Sequence, residues 1–416
     1  MRKWIGYLLL VAAALSCQTG QLDPLPRYMR EQGRFSRYAG QGAPADSTPQ
    51  KDPLAPPEPD YVPSVYATAL HFRDSADWRK DSLLAAEVLF FKDGALLLRQ
   101  MAPSPADPER HRIWGGHLWT DYTDGHQTVL LCDGEERFRY EGEELLKGFL
   151  ILNGDVHTLG QHPGQGFCYR INGAEVFSSA KGTLLGTPSS PEWRYGAFSL
   201  DGEEVYYCYS LPVPLKNRTD REYRIMKGAK TFKTIPAGTT NALLDLRVRS
   251  GTVYRIDKRN LFPYLVVDET EKQINTPSAQ LLSGRLVPLG EGIAALGCSR
   301  IQGQGFQQWC YSPEQESLVS LAGSTSDKSC LLMDGERWLL ADASADGLLM
   351  SLQEGSTRIP LMPGLYSLAT PRCLFLSDGW TGAALTRDKG SQHVLYANGS
   401  FQSLSFNGYF TSVVIE

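Results

Sequence analysis

No apolar run after residue 15 approaches the ~18 residues that a membrane-spanning helix needs, so nothing in this 416-residue chain beyond its first residues reads as a transmembrane segment. Clusters of lysine and arginine are also missing, and the formal net charge is −5. A chain with that balance and no basic stripe lacks the electrostatic footprint of a nucleic-acid-binding protein. No HExxH, GxSxG, P-loop or calcium-loop pattern occurs, and the seven histidines show no pairing at helical i, i+4 spacing. These absences leave the expected metal, cofactor and catalytic residues as none. Cysteine pairs spaced as CxxC are absent as well. Beyond Cys17 the cysteines are Cys132, Cys168, Cys208, Cys298, Cys310, Cys330 and Cys373, an odd set embedded in apolar runs such as "TVLLC" and "VYYCYS". A thiol in that setting behaves as a small buried hydrophobe, and the expectation is mostly free core thiols rather than a disulfide framework.

What the chain does have begins with "MRKWIGYLLLVAAALSC". Arg2 and Lys3 precede an apolar run to Leu15 that is too short to span a bilayer and reads as a signal peptide over residues 1–16. Ala14-Leu15-Ser16-Cys17 resembles the lipobox of bacterial lipoproteins, and the resemblance implies that Cys17 is lipidated. Residues 17–63 hold nine of the 25 prolines and little apolar periodicity, which reads as a partly polyproline-like tether. From residue 64 to the C-terminus the sequence turns to short alternating runs rich in Tyr, Phe, Val and Leu, the pattern of half-buried strands.

Turn dipeptides divide those runs: Asp93-Gly94, Asn153-Gly154, Asp201-Gly202, Asp334-Gly335 and Asp378-Gly379 favour the positive φ of tight hairpins. One series of glycines (94, 154, 202, 251, 292, 335, 379) recurs at a spacing of about 45 residues. A second series, at "CDGEERF", "INGAEVF", "MKGAKTF", "QEGSTRI" and "ANGSFQS", runs parallel to it. Each unit therefore reads as a four-stranded antiparallel meander. Such a sheet buries both faces only when neighbours pack around a ring, and this predicts an all-β fold, a β-propeller. Seven blades are expected between Leu83 and Phe406. "SVYATALHFR" and the terminal "YFTSVVIE" are left to close the ring in a shared blade, with eight blades as the alternative. The two copies of Gly-Gln-Gly-Phe, at Gly164 and Gly303, fall in the loop between the second and third strands of their units, so they read as turn punctuation and not as phosphate loops.

The segments Ala102–Trp119, Thr187–Trp193 and Ser210–Glu222 read as insertions. Trp78, Trp114, Trp119, Trp193 and Trp380 lie in or beside loops and turns, where flat aromatic faces stack on sugars or anchor a protein partner. They are the candidate ligand-binding residues, while Trp309 and Trp338 read as core. His111 and His117 read as surface or turn histidines. Asp46-Ser47-Thr48, Asp74-Ser75-Ala76 and Asp81-Ser82-Leu83 resemble the short O-glycosylation acceptor of exported Bacteroidota proteins.

The lipobox together with the repeats over residues 83–406 resembles the bacterial, Bacteroidota-like β-propeller lipoproteins. The resemblance implies an exported protein anchored by its lipid in the cell envelope, at the outer membrane on its periplasmic or surface face. It is architectural and brings no catalytic residues. Two functions remain open from the sequence: a non-catalytic binding or scaffolding propeller for a glycan or cell-envelope protein, and a carbohydrate-active enzyme, a glycosidase or lyase, with carboxylates converging on the channel. Oligomeric state is not readable.

Overall fold

The computed structural model describes residues 63–416, apart from 73–85, 103–106, 108–109, 124–125, 165, 186–196, 216–217, 239–241, 260–261, 277–279, 290–291, 302–304, 315 and 378. Among them every regular element longer than a single 3₁₀ turn is a strand, and pairing is antiparallel throughout. The fold is a β-propeller. The expected unit is seen most plainly in the second sheet, where His111–Trp114, His117–Thr123, Gln127–Cys132 and Glu135–Glu141 pair in chain order. Residues 145–179, 242–273 and 280–324 build three more such sheets, and residues 183–235 a five-stranded one.

Closure follows the expected route. Val65–Phe72 pairs on one side with Ala86–Lys92 and on the other with the C-terminal strand Gly408–Ile415, so the first and last described strands share a sheet with Ala95–Met101 at its outer edge. That pairing removes the open edge that a ring of sheets would otherwise leave. Phe410, fully buried on the C-terminal strand, packs edge-on against Phe91 of the N-terminal part and against Phe406.

Among the described residues seven hydrogen-bonded sheets result. The last has nine strands because Tyr366–Ser367 bridges two successive meanders, residues 330–358 and 374–405. Counting sheets gives seven units, and counting meanders gives the eight-unit alternative.

One reading of the repeat is corrected. The turn at Gly94 joins the two outer strands of the closing sheet, so the first glycine series actually starts at Gly115-Gly116, both left-handed with φ of 58° and 72°. The segment 102–119 is consequently no insertion. It carries the innermost strand of the second sheet, only four residues long, which is too short for an apolar run to announce it. Ser210–Glu222 is likewise an extension of the hairpin formed by Glu204–Leu215 and Arg218–Lys227. The first Gly-Gln-Gly-Phe copy behaves as expected, with Gly164 between Asp155–His162 and Gly166–Ile171, while Gly303 lies outside the described residues.

The second series of turns does more than reverse the chain. Asp93, Asp133, Asn172, Asp268 and Asn398 all have positive φ, between 38° and 51°. Each side-chain oxygen accepts the N–H of a residue that starts the second strand of its own sheet: Val65, Leu118, Val156, Val253 and Thr381 respectively. Each turn N–H donates back to the carbonyl of that same residue. This reciprocal clamp ties the outer hairpin to the inner one and explains why Asp or Asn stands there, before glycine in four of the five turns and before Glu269 in the other.

Candidate functional site

Of the five tryptophans singled out by sequence, Trp78 and Trp193 lie outside the described residues. Trp114 and Trp119 are core residues, 3% and 1% exposed, packed on Phe149 of the next sheet. This corrects their reading as loop aromatics: they flank the Gly115-Gly116 turn on strands whose inward positions face the interface between sheets. Trp380 is half-buried at the start of Trp380–Arg387. Trp309 is fully buried, as expected; its indole donates to Ser299 Oγ at 3.0 Å and lies across Gly297, where a Cβ would fall 2.1 Å from the ring. Trp338 is only half-buried. No two of the described candidates converge on a shared exposed aromatic surface.

His111 is buried and not on the surface. Desolvation, followed by the charges of Arg112, Arg372 and Arg110, pushes its pKa down to about 3. His117 is part-exposed and shares a 2.6 Å hydrogen bond with Asp133, close to Cys132. That His-Cys-Asp trio has metal-ligand chemistry, but Asp133 is one of the five turn clamps, and its other oxygen is held by the Leu118 N–H. The trio is accounted for by the hairpin that contains it. All seven cysteines among the described residues are unpaired and buried, and burial pushes the thiols of Cys132, Cys298, Cys310 and Cys373 up to about 11.

A concave site is found elsewhere, where the fifth, sixth and nine-stranded sheets meet on the face at which the innermost strands begin. It is a cavity of about 470 Å³, within the usual range for a small-molecule pocket. Its walls are made by two bulged strands. In Ala242–Arg249 the register slips between Leu243 and Asp245, and in Gln280–Leu289 between Leu281 and Ser283. A bulge re-aims the residues that follow it, and these are Asp245 on one strand and Ser283, Gly284 and Arg285 on the other, all lining the cavity. Gly297 and Gln308 line it from the sixth sheet, with Trp309 beneath.

The rim is pinned. Asp342 accepts hydrogen bonds from the Thr325 N–H and from the hydroxyls of Thr325 and Ser329, which fixes the segment carrying the rim residues Asp327, Lys328 and Ser329. Thr370, on the opposite side, donates to the Thr411 carbonyl of the C-terminal strand.

The electrostatics of the wall are uneven. Asp245 is fully buried; one oxygen accepts the Leu246 N–H at 2.8 Å and the other the Leu286 N–H of the neighbouring sheet at 2.7 Å. Arg247, 5% exposed, donates through Nε to the Leu286 carbonyl. Arg285 keeps part of its surface toward the cavity. Burial pulls its pKa below the usual arginine value; the Cys330 thiol, which shares a hydrogen bond with it, and Asp245 act the other way, and Arg247 adds to the depression. Sequence reasoning passed over this set. Its signal was a run of charges in an otherwise apolar strand, "LLDLRVR" and "SGRLV", which read only as flanks of turns.

Buried carboxylates elsewhere are already engaged. Asp121 faces Arg112 and Arg110. Glu144 takes both terminal nitrogens of Arg170 at 2.6 and 2.7 Å and lies 3.2 Å from His162. Asp257 lies between Arg255 and Arg259; burial raises its pKa, with both arginines opposing.

The sequence matches no known protein family and no curated protein. Solved structures with a similar strand arrangement include AztD from Citrobacter koseri, with a TM-score of 0.48 at 12% identity over 85% of this chain and 98% of that one. BamB from Moraxella catarrhalis gives 0.42 at 13%, over 77% and 96%. The β-propeller domain of the Trilobed protease from Pyrococcus furiosus gives 0.42 at 8%, over 67% and 87%. These likenesses concern the arrangement of strands and say nothing about the cavity.

Proposed function

We propose that this protein is an exported binding propeller, held to the cell envelope through Cys17 and the tether of residues 17–63, and that the cavity beside Arg285 is where it holds a ligand without transforming it. The observation that carries the reading is the state of Asp245. A glycosidase or lyase needs two carboxylates across its pocket, one of them able to exchange a proton. The buried carboxylate of this cavity instead spends an oxygen on each of two backbone amides, one of which belongs to the next sheet, so it acts as a staple between sheets. The only other carboxylate among the described lining residues, Asp327, is exposed on the rim.

The size and concavity of the site favour a small ligand or the terminal residue of a glycan over the flat surface of a folded partner. No aromatic side chain is among the described lining residues, so stacking is not the means of capture here. Among the described residues no helix is long and apolar enough to cross a membrane; in this reading the acyl chains on Cys17 supply the anchoring.

The test is a glycan array probed with residues 60–416 and with a Ser283→Trp variant. Ser283 is exposed on the cavity wall, so an indole there fills the space without displacing core. Capture by the native chain that the variant loses supports the reading. Release of reducing ends from a captured glycan, or capture that the variant retains in full, overturns it.

A further inference from the structure

Arg285 lines the cavity wall as a half-buried guanidinium. A guanidinium carries five N–H donors in a rigid fork. The hydrogen-bond partner here is the Cys330 thiol, a weak acceptor. Among the described residues no carboxylate forms an ion pair with Arg285. The nearest buried acid, Asp245, is committed to the amides of Leu246 and Leu286, and Arg247 is buried beside it. Asp245 and the Cys330 thiol act against the partial burial of Arg285, while Arg247 adds to its cost. Burying unbalanced charge is costly unless a counter-charge completes it, and the open side of Arg285 is the cavity. Lys328 adds a second cation at the rim, beside Asp327.

The other lining groups fit the same ligand. Ser283 and Gln308 supply polar contacts at the wall, and Gln308 is oriented through its amide nitrogen by Ser324 Oγ at 3.3 Å. The bulge that places Arg285 also leaves Gly284 beside it, a tightly packed position where Ile256 and Leu244 lie 3.3 Å from where its Cβ would stand. The arginine is therefore set on a packed strand and not on a mobile loop, which is what orienting a planar acid requires.

We infer that the cavity is an acid-binding site in which Arg285 forks onto a carboxylate or phosphate group, the terminal acidic sugar of a glycan being the bound form. This rests on the cavity being the binding site proposed above and names the chemistry it selects. An oxyanion of this kind also exists as free phosphate or a small organic acid, and the arms of the experiment separate these sources.

The experiment follows the melting temperature and calorimetric binding of residues 60–416 with galacturonate, its neutral counterpart galactose, and inorganic phosphate, in the native chain and in Arg285→Gln, Arg285→Lys and Ser283→Trp. Galacturonate is expected to stabilise the native chain while galactose does not. Arg285→Gln is expected to weaken galacturonate at least tenfold, and Arg285→Lys to recover part of the loss. Because Arg285 has no ion pair to lose, Arg285→Gln is expected to melt at or above the native temperature without ligand, which shows that the variant is folded. Phosphate binding without galacturonate binding identifies a free anion as the ligand and keeps the role of Arg285. Galactose bound as well as galacturonate, with Ser283→Trp abolishing both, overturns the acid inference while leaving the cavity as the binding site. Indifference of the native chain to all three, or acid binding that survives Arg285→Gln, overturns the inference outright.

Discussion

Replacing Trp119 by alanine separates the two roles a tryptophan beside a turn can have. Its side chain is 1% exposed, with its ring centroid 5.2 Å from that of Phe149, in a cluster that also holds Trp114, Leu130 and Leu146. Truncation removes the indole and leaves a cavity between two sheets that cannot collapse without moving backbone, for a cost of about 3–5 kcal/mol. No hydrogen bond is lost, because Nε1 has no partner. Trp119→Phe should therefore recover most of the loss. For a chain this long about 2 °C accompanies each kcal/mol, so the melting temperature should fall by roughly 6–10 °C. Chemical denaturation followed by tryptophan fluorescence and far-ultraviolet dichroism gives the measurement. Trp380→Ala, at a half-buried site, serves as control and should stay within about 1 kcal/mol. Unchanged stability in Trp119→Ala with loss of ligand capture would refute the core assignment and restore the ligand-binding role.

Acid stability carries a second prediction. Burial holds His393 at about 4 and His111 at about 3, below the ordinary value of 6.5, so the folded state keeps both neutral while the unfolded chain takes up protons below pH 6.5. Stability should therefore be fully present above pH 6.5 and be lost as pH falls toward 4, by up to about 3 kcal/mol from His393 alone. His393→Gln keeps a donor for the Phe406 carbonyl, 2.9 Å from Nε2, and should flatten the denaturation midpoint over that window; an unchanged slope would sink the argument. A third concerns the thiols. Native residues 60–416 should react with no disulfide exchange reagent until denatured, and then yield seven thiols; reaction of the folded chain with more than one equivalent would show that the thiols are accessible.

The repeat was legible because its signals are local. A positive-φ turn residue has few chemical solutions, and Asp or Asn at positions 93, 133, 172, 268 and 398 satisfies both the turn and the clamp. Closure was legible too, because two strand-like runs at the chain ends lacked partners. What misled was a strand too short to show a pattern. His111–Trp114 presents its burial over four residues, and without it Trp114 and Trp119 looked like loop aromatics when the surrounding sheets make them core.

The site was illegible for a different reason. A cavity wall is assembled from residues about forty positions apart, Asp245 and Arg285 among them, that become neighbours only when successive innermost strands stand side by side. Each of those strands carries its own bulge, and the bulge is a matter of register that no residue type announces. The charges were nevertheless visible. An arginine in the innermost strand of a propeller must be answered by an acid, by a carbonyl or by something the protein does not itself supply. Arg112 is answered by Asp121 and the Leu146 carbonyl, and Arg247 by the Leu286 carbonyl. Arg285, half-buried on the cavity wall, has a thiol for company and open space in front of it, and that asymmetry is what distinguishes a binding group from a structural one.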